Sequence, residues 1–132
     1  MTDTADSASL ARKCIALFNT RTLAWIGTCY AESVDWRELP LPATPSGQQG
    51  NRAALRFAAG RVLALFPDRT LTIRNLIAAS ESVALELDWT GTPAATVGSF
   101  TAGKPVSYRI ASFLTIAGGL IVRQTDYCVP LG

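Results

Sequence analysis

Every stretch with helical periodicity in this 132-residue chain lies before Pro67, and everything after it reads as strands joined by short turns. Ser7 or Ser9 can cap a first helix running to about Asn19, with Leu10, Cys14, Leu17 and Phe18 at helical spacing. A second, short helix is predicted over residues 22–30, with Leu23, Ile26 and Tyr30 on one face. Asn51 caps a third, which puts Leu55, Val62, Leu65 and Phe66 on its apolar face and stops at Pro67-Asp68. Strands follow at 70–79, 82–90, 96–100, 105–116 and 120–129, and one earlier strand is expected at 34–39. Helices followed by a strand meander give an α+β fold with the helices on one side of a mostly antiparallel sheet. A long, curved sheet wrapped around three N-terminal helices would make a cone-shaped barrel whose open end is a pocket. The run Pro40-Leu41-Pro42-Ala43-Thr44-Pro45-Ser46-Gly47 is read as a loop, a candidate flap at the pocket mouth.

Composition narrows the function. Hydrophobic residues make up 48% and charged residues 17%, which suits one globular domain over residues 1–132. A formal charge of +2 argues against nucleic acid as the main partner. Arg69, Arg74 and Lys104 form the one candidate basic patch, with a solvated surface as the alternative. There is no histidine, so the commonest general base and metal ligand is missing. No phosphate loop, dinucleotide fingerprint or ligand cluster is present, so no metal or cofactor is expected. Cys14, Cys29 and Cys128 read as small buried residues of a reduced, cytoplasmic protein. No apolar run approaches the ~20 residues of a membrane span.

The chemistry is carried by four carboxylates at strand parity: Glu38, Glu86, Asp88 and Asp126. Strand residues two apart share a face, so Glu86 and Asp88 point one way while Val83, Leu85, Leu87 and Trp89 point the other. Either the carboxylates are in water and the apolar face is the core, or the carboxylates line a pocket and the apolar face meets a second subunit. Asp126 shares its parity with Val122 and Gln124, and Glu38 shares its side with Trp36. A carboxyl in an apolar cavity resists ionisation, which moves its pKa into the range useful for proton transfer. Several carboxylates in one pocket call for a cation, and Arg109 is the candidate, at the parity of Ala111 and Phe113. Tyr30 is placed near the sheet mouth, where it could donate to a substrate oxygen.

Three local motifs carry a family resemblance: Phe66-Pro67-Asp68 before the first long strand, Trp89-Thr90-Gly91-Thr92 in a hairpin, and Ile121-Val122-Arg123-Gln124-Thr125-Asp126-Tyr127 in the last strand. With the element order, they resemble the SnoaL-like polyketide cyclase branch of the nuclear transport factor 2-like superfamily. That resemblance implies a cofactor-independent cyclisation or isomerisation of an apolar, oxygenated small molecule. Asp126 would be the principal acid/base, Asp88 and Glu38 would share or relay protons, and Trp36, Tyr30, Glu86, Arg109 and Phe113 would bind or shape the substrate. It also implies a homodimer through the outer sheet face, and it favours the pocket reading for Asp88. Limonene-type epoxide hydrolases are similar at Leu39-Pro40-Leu41-Pro42-Ala43, Asp88 and Asp126-Tyr127, but Glu86 stands where they have arginine, Glu38 where they have asparagine and Trp36 where they have tyrosine. Ketosteroid isomerases have their base at the position of Glu38, and Ala111 falls near their second aspartate.

Overall fold

A computed structural model describes residues 3–132. Helix α1 spans Thr4–Phe18 and α2 spans Ala24–Cys29. Strand β1 spans Tyr30–Glu38, β2 Gln48–Gly50, and helix α3 Arg52–Leu65. Strands β3 (Thr70–Ala78), β4 (Ser82–Gly91), β5 (Val106–Ala117) and β6 (Leu120–Pro130) complete the chain. The fold is α+β: three helices and one six-stranded sheet in the order β2-β1-β6-β5-β4-β3. Every pairing is antiparallel except β1 with β6. Strands β2 and β3 are the two edges, so the sheet is open and does not wrap into the cone-shaped barrel expected from the sequence.

The helices begin where side chains can take up orphan backbone N–H groups. Asn51 caps α3 as expected, accepting from Ala54 N. Helix α1 starts earlier than expected, because the Asp3 side chain accepts from Asp6 N at 2.8 Å. Ser7 is therefore a buried residue inside the helix, and its hydroxyl donates to Ser80 O, tying α1 to the β3–β4 turn. The β5–β6 hairpin turns on Gly118 and Gly119, both at positive φ, the backbone that a tight two-residue hairpin needs.

The strand expected at 96–100 is absent. Gly98 turns the chain back so that Val97 and Phe100 bond only to each other, and Phe100 packs edge-on against Phe66. The short edge strand β2, just beyond the proline loop, was not expected.

The core lies between the helices and one face of the sheet. From β4 it takes Val83, Leu85, Leu87 and Trp89; from β5, Leu114 and Ile116; from β1, Val34 and Trp36. The helices supply Ala11, Cys14, Trp25, Ile26 and Leu55. Helices cover one face only, so the other face of each strand meets water and carries charged residues such as Glu86 and Arg109 beside exposed apolar ones such as Phe113 and Tyr127.

Candidate active site

The register of the sheet builds the site. One transverse row runs through all six strands: Leu76 pairs with Leu85, Leu85 with Ser112, Ser112 with Asp126, Asp126 with Glu38, and Glu38 with Gln48. Residues in one row share a face, so the polar half of this row points with Leu85 toward the helices. There it borders a cavity of about 160 Å³. The rest of the lining is mainly apolar, including Phe18, Trp25, Trp36, Leu55, Leu87 and Trp89.

Asp126 is buried in this wall, with a relative exposure of 9%. Ser112 Oγ donates to its Oδ1 at 2.5 Å. Gln124 Nε2 donates to both oxygens, at 3.0 Å to Oδ1 and 2.9 Å to Oδ2. Oδ1 thus carries the Ser112 bond as well as that of Gln124, and the Trp36 side chain also favours the ionised carboxyl. Loss of water pushes the carboxyl up from an ordinary 3.8 to about 6. Ser112, Gln124 and the Trp36 side chain pull it the other way, and the nearby Glu38 charge adds to the rise.

Glu38 is half-buried at the end of β1, beside Asp126. Gln48 Nε2 donates to its Oε1 at 3.1 Å, and Thr44 Oγ1 lies 3.4 Å from the same atom. The proline loop therefore folds back on Glu38 through Thr44 and Gln48. Trp36 is buried and lines the cavity. Tyr30 is buried as well, but its hydroxyl proton goes to Gln124 Oε1, 2.5 Å away, rather than outward to a guest.

Four residues expected at the site lie on the opposite face of the sheet. Asp88 pairs in register with Arg109, whose Nε donates to Asp88 Oδ1 at 2.6 Å, while Arg74 Nη1 reaches Oδ2 at 2.9 Å. Arg109, and then Arg74, hold the Asp88 carboxyl below its ordinary value. Glu86 is exposed, 3.8 Å from Arg109. Phe113 is 52% exposed and meets Tyr127 edge-on at 5.8 Å. The pocket reading of Asp88 and Glu86 is corrected, with Arg109 and Phe113. The helices cover the face carrying Leu85, Leu87 and Trp89, so that face is the core and needs no second subunit to bury it.

Arg69 is also corrected, since it is fully buried and part of no basic patch. It donates to Phe18 O at 2.9 Å and Thr22 O at 3.2 Å, and its guanidinium lies over the Phe18 ring. Burial lowers its pKa to about 10. It holds the carbonyl end of α1, where a cation suits the helix dipole. Ser112 was not anticipated. Its signal was a hydroxyl at the inward parity of Leu114 and Ile116.

The SnoaL-like domain family matches residues 11–124. The chain belongs to that family. No curated protein sequence matches the chain. AclR, a candidate hydroxylase from Streptomyces galilaeus, superposes with a TM-score of 0.81 at 20% identity, covering 96% of this SnoaL-like chain and 80% of its own. IdmH, a candidate polyketide cyclase from Streptomyces antibioticus, gives 0.79 at 19% identity, covering 92% and 91%. A candidate ketosteroid isomerase from Kribbella flavida gives 0.69 at 26% identity, covering 100% and 84%. These likenesses establish the nuclear transport factor 2-like fold of this SnoaL-like chain. Fold alone does not fix a reaction. Among the described residues, no helix is long and apolar enough to cross a membrane.

Proposed function

We propose that this SnoaL-like protein catalyses a proton-transfer cyclisation or isomerisation of an apolar, oxygenated small molecule, with Asp126 as the acid/base. One observation carries the reading: a carboxyl with its pKa raised to about 6 stands in the wall of an apolar cavity. Ionised, it takes a proton from carbon next to a carbonyl. The carboxylic acid so formed returns the proton at another carbon, or at the oxygen created by ring closure. A positioned acid/base of this kind contributes ~10²- to 10⁴-fold. Glu38 sits one strand away as a second proton carrier, and Trp36 forms an apolar wall.

Size limits the substrate. About 160 Å³ is close to the space that accepts one benzene-sized ring. The cavity suits the reacting ring of a polyketide or terpenoid intermediate rather than several fused rings. Opening an epoxide with Asp88 and Asp126 together does not fit, because the two carboxylates occupy opposite faces of the sheet.

A one-ring ketone tests this directly. Wild-type protein should convert 3-cyclohexenone to the conjugated 2-cyclohexenone, followed by its ultraviolet absorbance, and Asp126→Asn should reduce the rate by at least 10²-fold. Equal rates for the two proteins would remove the role of Asp126, and no conversion by either would favour a non-catalytic binding module.

A homodimer through the outer sheet face belongs to the same reading. Phe113, Tyr127, Ile77 and Val129 are exposed large apolar side chains of the sheet, which supports it. Sedimentation equilibrium should give twice the chain mass, with dissociation in Phe113→Asp; a monomeric wild type would count against it.

A further inference from the structure

A line of donors runs from α1 to Asp126, and all point the same way. The Cys14 thiol is 3.9 Å from the Tyr30 hydroxyl oxygen, the Tyr30 hydroxyl donates to Gln124 Oε1, and the Gln124 amide donates to both carboxylate oxygens. A glutamine side chain has one accepting end and one donating end. Rotated by half a turn, Gln124 would set its oxygen against the Asp126 oxygens. Tyr30 occupies the accepting end and so opposes that rotation. Tyr30 itself is held by Trp25, edge-on at 5.5 Å, and its buried phenol keeps its proton because burial raises its pKa.

We propose that Tyr30 is a positioning residue for Asp126, acting through Gln124, whose amide it locks with the donating nitrogen toward the carboxylate. The inference rests on the acid–base reading of Asp126 and deepens it. The lock does two things. It fixes the plane of the carboxylate. It also supplies hydrogen bonds to the ionised form, offsetting part of the desolvation that favours the protonated acid.

Ser112 and the Trp36 side chain also favour the ionised carboxyl, and all four proteins of the test below keep both. The titratable neighbours of Asp126 are Glu38 and Tyr30 of β1, Cys14 of α1 and Cys128 of its own strand. Across the cavity α3 and β4 present apolar side chains, such as Leu55 and Leu87, and β2 presents the neutral Gln48. Arg69, the one cation lining the cavity among the described residues, donates to the backbone carbonyls of Phe18 and Thr22.

The test is a carbon-detected NMR titration of the Asp126 carboxyl in four proteins: wild type, Tyr30→Phe, Gln124→Leu and the double variant. Tyr30→Phe should raise the midpoint by about one pH unit, a tenfold gain in proton affinity. Gln124→Leu should raise it at least as far, and adding Tyr30→Phe to it should cause no further change, because the tyrosine acts through the glutamine. A merely structural tyrosine would lower the melting temperature and leave the titration where it was. An unchanged midpoint in Tyr30→Phe, or two full effects that add, overturns the proposal. Should a variant fail to fold, the wild type still decides: the Gln124 side-chain amide resonances should move with the Asp126 midpoint, and amide resonances indifferent to it would overturn the lock. Turnover is not read here, so the catalytic role is judged separately by Asp126→Asn.

Discussion

Ser112 Oγ donates to Asp126 Oδ1 across a register pair of β5 and β6, at 2.5 Å. The bond favours the ionised carboxyl. Ser112→Ala should therefore raise the Asp126 midpoint above about 6 and move the rise of the pH–rate profile to higher pH. Losing a buried hydrogen bond should also lower stability by about 1 kcal/mol. Paired pH–rate and urea-melt measurements check both effects, and an acidic displacement would contradict the assignment.

Glu38 acts on Asp126 in the opposite sense, since its negative charge disfavours a second one beside it. In Glu38→Gln the Asp126 midpoint should fall. The profile should then reach its plateau at lower pH, whatever happens to its height. A midpoint that rises would show that the two carboxyls are not coupled by charge.

Stability should depend on pH through the same group. Well below 3.8 the Asp126 carboxyl is protonated in both folded and unfolded chains. As pH rises the unfolded chain ionises first, near 3.8, while the folded chain keeps its proton until about 6. Folding stability contributed by the protonated acid is thus full well below 3.8 and falls between about 4 and 6, by ~3 kcal/mol in all. Asp68 and Asp88, whose values are lowered, act in the other direction and in a lower window, losing stability as pH falls below about 4. Urea denaturation from pH 3.5 to 8 should show the decline in the wild type and a flatter profile in Asp126→Asn.

Asp88 provides the contrast. It lies on the outer face, held by Arg109 and Arg74. Asp88→Asn should leave ketone isomerisation at the wild-type rate and leave its pH profile in place, since exposed ion pairs contribute little. A large loss of turnover would mean that the outer face takes part in the chemistry.

Much of this architecture was legible in residue spacing, and the exceptions have physical causes. The spacing of Leu10, Cys14, Leu17 and Phe18 marks α1, and Asn51 marks the start of α3 as it does in the structure. Residues 96–100 looked like a strand because Val97 and Phe100 are good strand residues; a strand also needs a partner, which spacing cannot supply. Parity paired Glu86 with Asp88 correctly but could not say which face of β4 the helices would cover. Asp126 and Gln124 were placed on one side by the same rule, as register bears out. Residue spacing leaves the Tyr30 hydroxyl open to a substrate oxygen or a backbone partner, whereas it meets Gln124, a partner 94 residues along the chain that only the fold brings near.

The central claim is that burial in a greasy cavity raises the Asp126 carboxyl well above the ordinary carboxylate range. Carbon-detected NMR titration of that one carboxyl in the wild-type protein measures it without any substrate. The account predicts a midpoint at about 6. A midpoint at or below the ordinary 3.8 would contradict it, leaving a chain with this fold and no poised acid.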